Sequence, residues 1–169
     1  MKIFLVGYMG SGKTTVGRIL AEKMKLEFID LDKRIEKSFG RSIPEIFFHH
    51  GEQAFRMHER ECLHHLLNEE KDCVVATGGG TPCFFDSMDL MKEAGKTVYL
   101  KCSPEILFER LKGASSRRPL LSRLSESEKL NYIAKHIHER SVFYERAELL
   151  MNGDISQNSV ADLIISRSI

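Results

Sequence analysis

Residues 7–14 read Gly-Tyr-Met-Gly-Ser-Gly-Lys-Thr, a G-x-x-x-x-G-K-[ST] pattern set directly between a short apolar run and a segment of helical spacing. Its four fixed positions arise by chance in about 1 in 150 chains of this size. Glycines let the backbone curl until its N–H groups point inward at phosphate oxygens, and a helix beginning at the lysine adds the positive end of its dipole. The pattern therefore demands a strand, a loop and a helix in that order, closed around a nucleoside triphosphate. In that loop Gly10, Ser11, Gly12, Lys13, Thr14 and Thr15 are the phosphate-binding candidates, with Lys13 reaching the β- and γ-phosphates and the Thr14 hydroxyl ligating Mg²⁺.

The rest of the chain continues the alternation. Residues 2–6 form a continuous apolar run, as expected of a strand buried on both faces. Val16, Ile19, Leu20 and Met24 predict a helix over 13–25, and residues 26–29 a second strand closed by Asp30-Leu-Asp32. Ser42-Ile-Pro-Glu45 is a capping box with proline in the first turn, so a short helix should start near Ile43, end at Gly51 and be followed by another over 52–68. Further strands are expected at 73–77, running into Gly78-Gly79-Gly80, at 97–101 and at 148–151. Helices are expected from Ser103-Pro104 to about 112, from the Ser125–Glu128 capping box to about 147, and over 159–166. Such alternation predicts an α/β protein with a parallel sheet of about five strands covered on both faces, because parallel strands need crossover connections. Residues 112–124 lack periodicity and are the candidate mobile loop.

Composition narrows the function classes. In 169 residues, 25 Lys and Arg face 24 Asp and Glu, for a net charge of +1. That excludes the cation surplus of a nucleic-acid binder, while 42% apolar content excludes a disordered chain. No apolar run approaches the ~20 residues of a membrane span, and the N-terminal run is too short for a signal peptide. Cys62, Cys73, Cys83 and Cys102 lack C-x-x-C spacing and read as reduced thiols of a cytoplasmic protein. The histidine pairs have no matching acidic or cysteine set for a metal.

A phosphate loop alone leaves enzyme, switch and motor open. No aspartate lies three residues before any glycine, and Asn-Lys does not occur, so the D-x-x-G and N-K-x-D elements of a GTP switch are missing. The strand at 73–77 ends in glycines rather than in the acidic residue of a motor ATPase. A small kinase fits better. Asp30 and Asp32 fall at a strand's C-terminal end, where ligands gather in parallel sheets. On an extended segment both would face one side, one near Mg²⁺ and the other orienting or deprotonating an acceptor hydroxyl; the lesser alternative, that they cap a following helix, is compatible with that role. Gly78-Gly79-Gly80 offers backbone N–H groups, and Arg56, Arg117, Arg118 and Arg140 are the cations available to an anionic acceptor or the migrating charge.

Taken in order, G-Y-M-G-S-G-K-T-T, D-L-D, G-E-Q-A-F-R, T-G-G-G, R-R-P-L-L and E-R-S-V-F-Y resemble the shikimate kinases, over residues 2–148. The resemblance implies a single-domain, three-layer α/β/α P-loop kinase fold spanning 1–169, with a mobile lid at about 112–124 and a shikimate-binding segment at about 32–60. It implies transfer of the ATP γ-phosphoryl to the 3-hydroxyl of shikimate, in chorismate and aromatic amino acid biosynthesis. Asp32 would contact that hydroxyl and Asp30 would lie near Mg²⁺, through water. Arg56 and Arg140 would hold the substrate carboxylate, and Gly79 and Gly80 would contact the ring hydroxyls. Arg118, favoured over Arg117 by the following Pro119-Leu-Leu121, would be the lid arginine that reaches the phosphates. Arg110 would pack on adenine and Gln157 would lie in the adenine-contacting segment. Partners are the small molecules ATP and shikimate, with no nucleic acid or membrane, and a monomer is expected. A gluconate- or nucleotide-kinase-like enzyme shares the loop and fold, whereas a non-catalytic nucleotide-binding module would not need Asp32 or the acceptor-side arginines.

Overall fold

Strand β1 (Lys2–Val6) lies at the centre of the sheet, and alternate residues feed two separate cores. Ile3 and Leu5 face one way, Phe4 and Val6 the other, and all four are fully buried. The computed structural model describes residues 1–112 and 124–168. Five strands, β1, β2 (Glu27–Asp30), β3 (Cys73–Ala76), β4 (Lys96–Lys101) and β5 (Leu149–Asn152), run parallel in the order β2-β3-β1-β4-β5. The expected sheet is present, and β5 takes an edge. Helices α1 (Lys13–Met24) and α7 (Gln157–Ser168) cover the Ile3/Leu5 face. The opposite face carries α2 (Leu31–Phe39), α3 (Ile43–Leu67), α4 (Ser87–Ala94), α5 (Pro104–Lys112) and α6 (Glu126–Tyr144), which completes a three-layer α/β/α fold.

Local chemistry sets the helix ends. Both capping boxes form: the Ser42 and Ser125 backbone N–H groups donate to Glu45 and Glu128 at 2.8 and 2.7 Å. Gly51 breaks α3 with φ 80° and ψ 171°, so the helix does end there and restart, as its glycine predicts. No helix among the described residues is long and apolar enough to cross a membrane.

Three elements in two regions depart from the sequence expectation. Residues 31–39 are helical, so Asp30 and Asp32 do not share an extended segment. Asp30 is the N-cap of α2, its carboxylate accepting from the Lys33 N–H at 3.3 Å, and Asp32 sits in the first turn. The helix wins because Leu31 and Ile35, one turn apart, are both fully buried. A 3₁₀ turn (Thr81–Cys83) and α4 then follow the glycine triplet where no helix was anticipated. Residues 113–123, including Arg117 and Arg118, lie outside the described residues.

Candidate active site

The loop between β1 and α1 depends on three glycines of positive φ, namely 142° at Gly7, 80° at Gly10 and 93° at Gly12. A Cβ at Gly7 would also stand 2.9 Å from the Leu100 carbonyl oxygen, so the turn can close only without a side chain. Lys13, almost fully buried, folds back over this loop and donates from Nζ to the carbonyls of Gly7 and Tyr8, each at 2.8 Å. The ammonium is thus held at the mouth of α1, whose first N–H groups have no intrahelical partner. Thr14 Oγ1 donates to Asp30 Oδ2 at 3.3 Å, which sets a hydroxyl and a carboxylate side by side at the loop's edge.

A cleft of about 390 Å³ opens from the loop. Gly10, Gly12, Lys13, Thr14 and Thr15 line it from the loop and the start of α1, Asp30, Asp32 and Gly79 from the segments at the ends of β2 and β3, and Arg110 and Gln157 from α5 and α7. Ser11 is buried beneath, its carbonyl accepting from Arg110 Nη1 at 3.4 Å. Arg110 Nη2 also donates to the Gly153 carbonyl at 2.9 Å, pinning α5 to the turn after β5, and the Gln157 side chain comes within 4 Å of where a Gly12 Cβ would be. Both groups assigned to the adenine end therefore stand over the phosphate loop.

Asp32 has the most informative electrostatics. Burial raises its pKa from 3.8 to about 6; Lys13 pulls the other way, and Asp30, Glu59 and Glu36 add to the rise. A carboxylate so tuned is still ionised at neutral pH yet is a better base than a solvated one. It lies against the glycine strip, since a Cβ on Gly78 would be 2.8 Å from Asp32 Oδ1.

Beyond Asp32 the strip meets both acceptor-side arginines. A Cβ on Gly80 would fall 2.4 Å from Arg56 Nη2, and one on Gly79 would fall 3.7 Å from Arg140 Nη1. Arg56 is 8% exposed. It is fixed by Glu59, 2.8 Å from Nη1, by Glu52 at 3.3 Å, and by the Phe84 ring 4.0 Å beneath its guanidinium. Arg140 is half-buried and has no carboxylate at ion-pairing distance among the described residues. Three contributors were missed in the sequence. Glu59, 2% exposed, holds Arg56 and accepts from Thr81 Oγ1 at 2.6 Å, and the Tyr144 hydroxyl donates to the Gly79 carbonyl. Their signals were present: Glu59 is one helical turn beyond Arg56, Thr81 directly follows the glycines, and Tyr144 is one turn beyond Arg140.

The sequence and the fold both have counterparts among known proteins. A family model described as shikimate kinase matches residues 9–168. The chain belongs to the shikimate kinase family. A shikimate kinase of Phocaeicola vulgatus is 46% identical over 153 residues, covering 90% of this chain and 87% of the relative. The crystal structure of the shikimate kinase of Bacteroides thetaiotaomicron superposes with a TM-score of 0.88 at 37% identity, covering 100% of this chain and 99% of that one. The shikimate kinase of Acinetobacter baumannii, solved in complex with shikimate, gives a TM-score of 0.87 at 35% identity, over 99% of this chain and 92% of that one. Shikimate kinase membership makes the chain a phosphotransferase of the P-loop class, and its near-complete coverage spans both the phosphate loop and the acceptor-side arginines.

Proposed function

We infer that the chain transfers the γ-phosphoryl group of ATP to the 3-hydroxyl of shikimate, giving shikimate 3-phosphate and ADP in aromatic amino acid biosynthesis. The observation that carries this reading is the position of Asp32, which lines the phosphate-loop cleft and packs on the glycine strip that both Arg56 and Arg140 approach. Family membership supports the same acceptor.

In the assignment we propose, the backbone amides of residues 10–15 and Lys13 bind the triphosphate, while Arg110 and Gln157 hold the adenine end. Arg56 and Arg140 take the acceptor carboxylate in charge-assisted hydrogen bonds, and Gly79 with Gly80 leaves room for the ring hydroxyls. Asp32 then aims the 3-hydroxyl at the γ-phosphorus and accepts its proton as the phosphoryl group departs. Arg118, assigned from the sequence alone, would meet the phosphates from the lid. The Thr14 hydroxyl and, through water, the Asp30 carboxylate are hard oxygen donors that would hold Mg²⁺. No group of three or more His, Cys, Asp or Glu able to hold a metal occurs among the described residues. Bound there, Mg²⁺ supplies charge neutralisation of the β- and γ-phosphates. The reading includes a cytoplasmic monomer acting on two small molecules, and the net charge of +1 gives no field for a nucleic acid.

The test is an acceptor panel. With Mg·ATP, shikimate is expected to release ADP and yield a monophosphate ester identified by ³¹P NMR, while gluconate and AMP are not. ADP release with gluconate or AMP but not with shikimate would reassign the acceptor. Tight ATP binding with no transfer to any of the three would favour a non-catalytic role.

A further inference from the structure

Helix α6 carries Tyr132, His136, Arg140 and Tyr144 at successive four-residue steps, which sets all four on one face. His136 Nδ1 is 3.0 Å from the Tyr8 hydroxyl, a contact that spans 128 positions of the chain. The His136 ring packs edge-on against Tyr8, centroids 5.5 Å apart, and lies 5.4 Å from Tyr132. Tyr8 belongs to the phosphate loop and lends its carbonyl to Lys13. Two turns beyond His136, Tyr144 binds the Gly79 carbonyl and packs on Tyr99 at 5.1 Å. Arg140 is therefore carried between two anchored points, one on the phosphate loop and one on the glycine strip. With no carboxylate at ion-pairing distance among the described residues, it has no charged partner comparable to the Glu59 of Arg56. Its aim is set by the placement of its helix together with the Tyr144 hydroxyl, which bonds Arg140 from the next turn of α6.

We propose that His136 is a positioning residue: its hydrogen bond to Tyr8 fixes α6 against the phosphate loop and thereby sets where Arg140 presents its guanidinium to the acceptor carboxylate. The proposal rests on the assignment of Arg140 made above. The charges around His136 agree with it. Burial, with Arg140 on the same helix, holds the imidazole's pKa below its ordinary value, opposed by Glu139 on α6 and Glu52 on α3. That shift favours the neutral ring, which can bond Tyr8 without adding a second cation beside Arg140.

The test uses the full chain and reads KM for shikimate, KM for ATP and kcat in His136→Leu, Tyr8→Phe, the double variant and His136→Asn, with Tm as the folding control. Losing one such hydrogen bond is expected to raise the shikimate KM about 3- to 10-fold. In His136→Leu, KM for ATP and kcat at saturating shikimate should stay within about twofold, the signature of lost acceptor binding. The double variant should be no worse than the more damaging single one, because the Tyr8–His136 bond is lost in each. His136→Asn keeps a hydrogen-bonding group near the Nδ1 position and should recover most of the loss. Multiplicative losses, an unchanged shikimate KM in His136→Leu, equal damage to ATP affinity, or a folded His136→Asn no better than His136→Leu would each overturn the positioning role. Arg140→Ala, run alongside, separates the two claims: an unaffected shikimate KM there removes the assignment of Arg140 itself, whereas a raised one with His136→Leu unaffected removes only the role of His136.

Discussion

At the scale of single residues, Asp32 shows what the cleft costs and what it provides. Its carboxylate is held in an environment that disfavours ionisation, with a pKa of about 6 against 3.8 in water. As the catalytic base it must be ionised, so kcat/KM for shikimate should fall as pH drops through about 6, and a profile flat down to pH 5 would remove that role. Asp32→Asn should lower kcat about 10²- to 10⁴-fold while ATP affinity, measured by calorimetry, changes little. The same substitution removes a penalised charge. Because the folded-state pKa is raised, the penalty is present above about 6 and disappears as pH falls toward 3.8. Asp32→Asn is therefore expected to melt a few degrees higher than the parent at pH 7.5, with the gap closing near pH 4. A second residue-scale prediction concerns Gly80, where a methyl group would sit 2.4 Å from Arg56 Nη2, a guanidinium locked by Glu59 and Phe84. Gly80→Ala should raise the shikimate KM at least about tenfold, the equivalent of one charge-assisted hydrogen bond, and spare the KM for ATP. The phosphate-loop residues were legible because their spacing itself encodes the geometry. Glu59 and Tyr144 were not, because a buried acid and a buried tyrosine acquire meaning only from the arginine and carbonyl that the fold brings to them.

At the scale of elements, strands and capped helices follow from patterns a few residues long, and these appeared where expected: β1, the two capping boxes and the break at Gly51. Helix α2 entered the sequence reading only as the lesser alternative because only Leu31 and Ile35 bury fully amid charged neighbours, so its periodicity is thin; the cap at Asp30 and the packing against α3 complete it. The consequence reaches the site, since Asp32 arrives at the cleft on the first turn of a helix rather than on an extended strand end. Gly51 tests the element argument cleanly. Its φ of 80° and ψ of 171° lie in a region open essentially to glycine alone, while an added Cβ would meet nothing within 4 Å. Gly51→Ala should cost about 1–3 kcal/mol from backbone strain alone, lowering Tm by about 3–10 °C. An unchanged Tm would show that the break in α3 tolerates a side chain.

At the scale of the whole molecule, near-neutrality conceals a local imbalance. Lys13 lines the cleft, and Arg56 and Arg140, far from it in the chain, reach the glycine strip beside it from α3 and α6, because a parallel sheet gathers the ends of its strands and the helices that follow them. The order of the motifs along the chain was readable in advance; their convergence was not, since it depends on crossovers that bring residues 8, 79 and 140 together. The central claim is that this convergence serves phosphoryl transfer to a carboxylate-bearing alcohol. Its most direct test is product formation from Mg·ATP with shikimate and, in parallel, with shikimate amide, in which the carboxylate is neutralised. Shikimate should be converted to a monophosphate ester, with kcat/KM for the amide lower by about 10²- to 10⁴-fold, the contribution of two arginine–carboxylate hydrogen bonds. No phosphorylated product from shikimate, or equal kcat/KM for acid and amide, would contradict the account.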